Sequence, residues 1–158
     1  MMIQDESDLK FMKLALQEAA IALEENQIPV GAVIVNENNE LISKARNQVN
    51  ILNSTIAHAE MLAIIKAQEY LFKNKGKCTL YTTLEPCMMC LGAIVYAQFS
   101  RLVIAALAPS VGGLRMLDTV QHYRDNSPEI ITGVLEHESK ELIRQYVSKT
   151  GLRHDLLT

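Results

Sequence analysis

This sequence predicts a three-layer α/β/α fold built on a mixed five-stranded sheet, and three observations carry that prediction. Apolar, β-branched runs alternate along the chain with segments whose apolar residues recur at three- and four-residue steps. Two of the strand-like runs are joined by a short polar turn and form a hairpin, whereas the remaining runs are separated by helical stretches. At 158 residues, 49% hydrophobic and 21% charged, the chain is long enough to bury a proper core, and residues 1–158 read as one domain.

The elements follow in order. Residues 7–25 form a helix, since Leu9, Met12, Leu16, Ala19, Ala20 and Leu23 make one apolar stripe, with Ser7 as its cap and Asn26 at its end. Residues 28–35 form a strand in which Gly31 marks a close approach by another backbone or a ligand, and Pro29 lies at its entrance. Asn36 to Asn39 turn the chain into a return strand at 41–45. A polar loop at 50–55 leads to a second helix at 57–71, with His58 and Glu60 in its first turn. After a basic loop at 73–77 comes an apolar strand at 78–82, then a helix opening near Pro86 and running through Ala97. A strand at 101–106, a glycine-containing loop at 109–113, a short helix at 114–120, a strand at 129–134 and a closing helix at 136–147 complete the set.

Composition narrows the setting. With no Trp and only 5% aromatic residues, the core must be filled by Leu, Ile, Val, Ala and Met. No apolar run nears the length of a membrane span, and no basic segment leads into one at the N-terminus, so a cytoplasmic protein is expected. Three cysteines do not make a disulfide framework, which fits a reducing compartment. A net charge of −3 opposes a broad phosphate-binding surface.

Chemistry concentrates in two short stretches, His58–Ala59–Glu60 and Pro86–Cys87–Met88–Met89–Cys90. Cysteines three positions apart share a face of one helical turn, so Cys87 and Cys90 can aim both sulfurs at a single metal ion. His58 supplies a third donor, and three protein ligands leave the fourth tetrahedral position for water, the pattern of a catalytic zinc. Glu60 is then the candidate proton carrier. Residues two apart on a helix point about 200° from each other, so His58 and Glu60 serve one site only if the metal lies off the helix end. Such a site receives the positive end of the helix dipole, and a helix N-terminus also lowers a cysteine's pKa. A C-x-x-C pair alone would also suit a redox couple or half of a structural zinc knot. Cys78, however, sits in an apolar run as a small core residue, and His122, His137 and His154 show no ligand spacing.

H-x-E followed by P-C-x-x-C is the signature of zinc-dependent nucleobase deaminases. The chain resembles the cytidine-deaminase-like superfamily, and within it the branch of bacterial tRNA adenosine, cytosine and guanine deaminases. The likeness runs through residues 28–33, Asn47, residues 57–60 and residues 79–94. It implies that His58, Cys87 and Cys90 hold a zinc ion in each chain and that Glu60 shuttles protons. It further implies that Asn47 binds the base or sugar, that the backbone around Ala59 and Glu85 holds the ring, and that the protein is a homodimer. In the last third the likeness weakens, because the loop is Ala108–Pro109–Ser110–Val111–Gly112–Gly113 and no Asn-His pair follows it. There Arg144, Lys149 and Arg153 alternate with Glu136, Glu138, Glu141 and Asp155, as on a solvated mixed-charge helix. Two substrate classes stay open on these grounds: adenosine in a tRNA anticodon loop, and a free base or nucleoside. A non-catalytic zinc scaffold is disfavoured by Glu60, since a structural zinc needs no proton carrier.

Overall fold

The computed structural model describes residues 5–158, and none of the predicted elements falls in residues 1–4. Its helices and strands run α1 (Glu6–Glu24), β1 (Gly31–Val35), β2 (Leu41–Arg46), α2 (Ala59–Lys73), β3 (Thr79–Leu84), α3 (Met88–Ala97), β4 (Arg101–Ala106), α4 (Met116–Thr119), α5 (Gln121–Asp125), β5 (Glu129–Thr132) and α6 (Glu136–Thr150), with a terminal 3-10 turn at His154–Leu157. The sheet order is β2-β1-β3-β4-β5. β1 is antiparallel to both β2 and β3, whereas β3, β4 and β5 are parallel. The mixed five-stranded sheet between helices is therefore as the sequence predicts.

Strand residues alternate between two apolar layers. Val33, Val35, Tyr81, Val103 and Ala105 pack with Phe11, Met12 and Ala15 of α1. Ala32, Ile34, Leu80, Leu84, Leu102 and Ile104 pack with residues of α2 and α3, among them Ala63, Ala67, Leu91 and Ile94. Because both faces of the central strands are covered, β1, β3 and β4 are buried almost without interruption and do not alternate between buried and exposed residues.

Gly31 is where α1 crosses the sheet. A Cβ built there would lie 1.9 Å from the Ala15 carbonyl oxygen and 2.8 Å from the Ala19 nitrogen, both backbone atoms that cannot step aside. On the outer side of this layer, the Asp8 carboxylate receives the Tyr81 hydroxyl at 2.7 Å and two Arg101 nitrogens at 3.1 and 3.0 Å. This network ties α1 to β3 and β4, and it satisfies a carboxylate that would otherwise be costly to bury.

Several expected boundaries shift for local reasons. Asp5, not Ser7, caps α1, its side chain accepting from the Ser7 nitrogen at 2.7 Å. Residues 28–30 precede β1, because Pro29 has no N–H to give a ladder. Pro86 lies two residues before Met88, the first residue of α3, since extended Cys87 (φ −67°, ψ 173°) is the cap. The helix expected at 114–120 is four residues long and is followed by α5, which the polar composition of 121–125 did not signal.

Substituting Gly31→Ala is expected to cost about 3 kcal/mol or more, because the new methyl group meets rigid backbone. Urea unfolding should show a lower midpoint at an unchanged slope.

Candidate metal centre and catalytic cavity

The first residues of α2 and α3 meet beside the carboxyl end of β3. His58 caps α2 in extended geometry (φ −73°, ψ 154°), and Cys87 caps α3, yet neither side chain makes the hydrogen bond that a capping residue normally gives its helix. Both are directed elsewhere, toward each other. His58 Nδ1 lies 3.6 Å from Cys87 Sγ and 3.6 Å from Cys90 Sγ. Among the described residues this is the group of His, Cys, Asp and Glu side chains that can hold a metal ion.

Donor chemistry and spacing fit zinc. Bonds of about 2.3 Å to sulfur and about 2.05 Å to nitrogen, opened to the tetrahedral angle, put N and S about 3.6 Å apart. The observed spacing is the same for both sulfurs. Two thiolates and an imidazole also suit zinc better than an all-oxygen metal. Hydrogen bonding from Cys90 pulls Cys87 down to about 4, and the same pairing together with burial pushes the Cys90 thiol up. The hydrogen bond to Cys87 raises His58.

Glu60, two residues into α2, is 4% exposed. Burial raises its carboxyl above the ordinary carboxylate range. Thr82 donates to its Oε1 at 3.1 Å from the neighbouring strand. Glu60, His58 and Cys87 line one cavity of about 500 Å³, and Cys90 is fully buried behind it.

Asn47, Ala59 and Glu85 all line that cavity. Asn47 is buried, and its Oδ1 accepts from the Val49 nitrogen at 3.1 Å, which leaves its amide nitrogen as the donor available to a ligand. The Glu85 carboxylate is committed to protein, accepting from the Ala108 nitrogen at 2.8 Å and the Leu114 nitrogen at 3.2 Å. It gathers the loop at 108–114 around itself so tightly that a Cβ at Gly112 would lie 2.0 Å from its carboxyl carbon. Only the backbone of Glu85 is left to face a ring. The same loop is fastened to the metal segment through a bridge between Cys87 and Gly112, and Gly113 donates to the Pro86 carbonyl at 2.7 Å.

Sequence reasoning missed the far wall. Tyr146 of α6 together with Leu152, Arg153 and Leu156 lines the same cavity as the metal donors His58 and Cys87. α6 is thus not simply a solvated helix, because it buries Ser139, Ile143 and Tyr146 while its charges lie outside. Arg153 is tied to Asp155 by two contacts of 3.0 Å. The spacing of Leu152, Leu156 and Leu157 after Gly151 was the available signal, but a turn of four residues is too short to show a period.

Residues 5–106 match the model of the cytidine and deoxycytidylate deaminase zinc-binding region. Over 141 residues the chain is 41% identical to the tRNA-specific adenosine deaminase of Bacillus subtilis, covering 87% of this chain and 84% of that protein. It is 48% identical over 105 residues to the enzyme of the same name from Aquifex aeolicus, covering 66% of this chain and 69% of that one. A solved structure from a study of A-to-I editing by tRNA:A34 deaminases at the wobble position superposes with a TM-score of 0.77 at 37% identity, covering 84% of this chain and 98% of the other. The guanine deaminase of Nitrosomonas europaea shares the fold, with a TM-score of 0.74 at 23% identity, over 94% of this chain and 87% of its own.

Removing a donor should empty the site. His58→Ala and Cys87→Ala are each expected to retain less than about a tenth of the wild-type zinc, with Cys78→Ala unchanged, as read by elemental analysis of the purified proteins.

Proposed function

This chain belongs to the cytidine and deoxycytidylate deaminase zinc-binding family, and on that premise we propose that it is a zinc-dependent hydrolytic deaminase converting adenosine to inosine at the wobble position of a tRNA anticodon loop. One observation supports this above the others: a buried carboxylate, Glu60, lines a cavity together with His58 and Cys87 of a His-Cys-Cys donor set, in a chain 41% identical to a tRNA-specific adenosine deaminase.

In this reading His58, Cys87 and Cys90 hold the zinc, which when bound supplies the Lewis acidity that makes water a nucleophile near neutral pH. The chain's own residues do the rest. Glu60 takes the water's proton on its Oε2, since Oε1 is held by Thr82. It gives that proton to a ring nitrogen, which makes the amine-bearing carbon electrophilic enough to bond the water's oxygen. It then takes the remaining proton from that oxygen and delivers it to the amine, so that the C–N bond breaks, ammonia leaves and a carbonyl remains. A carboxyl raised by burial is suited to work in both directions. The amide of Asn47 and the backbone at Ala59 and Glu85 orient the base. Val30, Leu84 and Val111 supply apolar cavity wall, and Tyr146 and Leu156 cover the cavity from the C-terminal side.

Partner and setting follow from the same reading. A homodimer is supported by apolar side chains left exposed on α2 and α3: Ile65, Phe72, Met88 and Tyr96 are each at least half exposed. A cytoplasmic location goes with a tRNA substrate, and no described helix is long and apolar enough to cross a membrane. The net charge of −3, and the pairing of Arg153 with Asp155 and Arg144 with Glu141, favour a free base or nucleoside as the competing substrate.

Ammonia release separates the two. The zinc-loaded protein is expected to turn over an anticodon stem-loop with adenosine at the wobble position and to leave free adenine, guanine, cytosine and their nucleosides untouched. Glu60→Gln should keep zinc and lose at least about a thousandfold in kcat. Turnover of a free base in place of the RNA would overturn the tRNA assignment, and full activity of Glu60→Gln would remove Glu60 from the reaction.

A further inference from the structure

Thr82 is a polar residue in an apolar layer. It is fully buried, pairs with Ala32 on one side and Ile104 on the other, and shares its face of β3 with Leu80 and Leu84. Valine has nearly the same shape, is at home in strands and needs no hydrogen bond, so packing alone gives no reason for a hydroxyl here. The hydroxyl has two acceptors: Glu60 Oε1 at 3.1 Å and the Leu84 carbonyl at 3.0 Å. Its single proton can go to only one of them at a time, and an ionised carboxylate is the stronger acceptor.

A glutamate carboxyl rotates about a terminal torsion that is broad and nearly free. Helix α2 fixes where the Glu60 side chain begins, but not the plane of its two oxygens. Holding one oxygen to a central strand removes that freedom and so determines where the other points. We propose that Thr82 is the positioning residue of the proton carrier: by holding Glu60 Oε1 against β3 it turns Oε2 toward the reacting atoms in the cavity. This rests on the reading of Glu60 as the proton carrier. Because Thr82 sits on the strand that leads directly into Cys87 and Cys90, carboxylate and metal donors are indexed to one rigid element.

Two variants separate positioning from packing. Thr82→Val keeps the shape and loses the hydroxyl, whereas Thr82→Ser keeps the hydroxyl and loses a methyl group. With the full-length, zinc-loaded protein and the stem-loop substrate, Thr82→Val is expected to lower kcat about ten- to a hundredfold, the effect of a lost hydrogen bond to a charged group. KM should stay within about twofold and zinc content should not change. Thr82→Ser should recover to within about threefold of wild type. A second readout needs no substrate: the infrared carboxyl band assigned to Glu60, by difference against Glu60→Gln, should shift in Thr82→Val and return in Thr82→Ser. Should the stem-loop prove not to be the substrate, that band still reports the Thr82–Glu60 bond, so the two readings fail separately. Wild-type kcat in Thr82→Val, equal losses in both variants, loss of zinc, or an unmoved band would each overturn the proposal. If Thr82→Val does not fold, a Glu60 band in Thr82→Ser unlike that of wild type overturns it as well.

Discussion

His58 Nδ1 stands 3.6 Å from each of two sulfurs, and the rest of the site depends on that spacing. It is not a local property of any one segment. His58 comes at the start of α2, before β3, and the cysteines come at the start of α3, after it. Helices α2 and α3 pack against each other, so their first residues meet at a common point. Capping is given up to achieve this: residues that would ordinarily satisfy their own helix ends send their side chains to the shared centre. The two positive helix ends then face a group of donors that includes the Cys87 thiolate, which is where such ends are most useful.

Placing Glu60 beside this centre carries a cost that the surroundings offset. A carboxylate this buried resists ionisation, and its neighbour Cys87, as a thiolate, opposes it further. His58, the Thr82 hydroxyl and Glu60's own backbone act the other way. Burial outweighs them, and the carboxyl stays above the ordinary carboxylate range. Nothing comparable surrounds the Asp8 carboxylate on the other side of the sheet. There Arg101 and Tyr81 bind a carboxylate as a structural tie.

Much of this was legible from residue order. The cysteine spacing, the histidine two positions before a glutamate, and the doubly apolar strands all have one-dimensional signatures, and each appears at its expected place. Gly31 inside an apolar run signalled a close approach, and the partner is the α1 backbone at Ala15. What escaped depends on distant pairing. The Glu85 side chain turns into the loop at 108–114, and a charge two residues from a ligand gives no hint of that. Tyr146 and Leu156 reach the cavity only because α6 packs against β3 and β4 and the terminal turn folds back on α6. In the run 79–83, three threonines look alike as letters; their alternation about the strand, and the glutamate waiting on one side, make Thr82 different.

The strands also divide the molecule by how readily its parts open. Thr82, Glu85 and the two cysteines belong to, or follow directly from, a strand flanked on both edges and covered on both faces, where backbone amides exchange with solvent only through large-scale opening. The C-terminal wall, in contrast, hangs from a short 3-10 turn held by the buried Leu156, the Arg153–Asp155 pair and one hydroxyl contact from Ser110 to Thr158. A hydrogen-exchange map of the protein would therefore have two regimes meeting inside one cavity. The strand side is expected to be protected far more deeply than the terminal turn, although residues in or beside each of them line the same cavity.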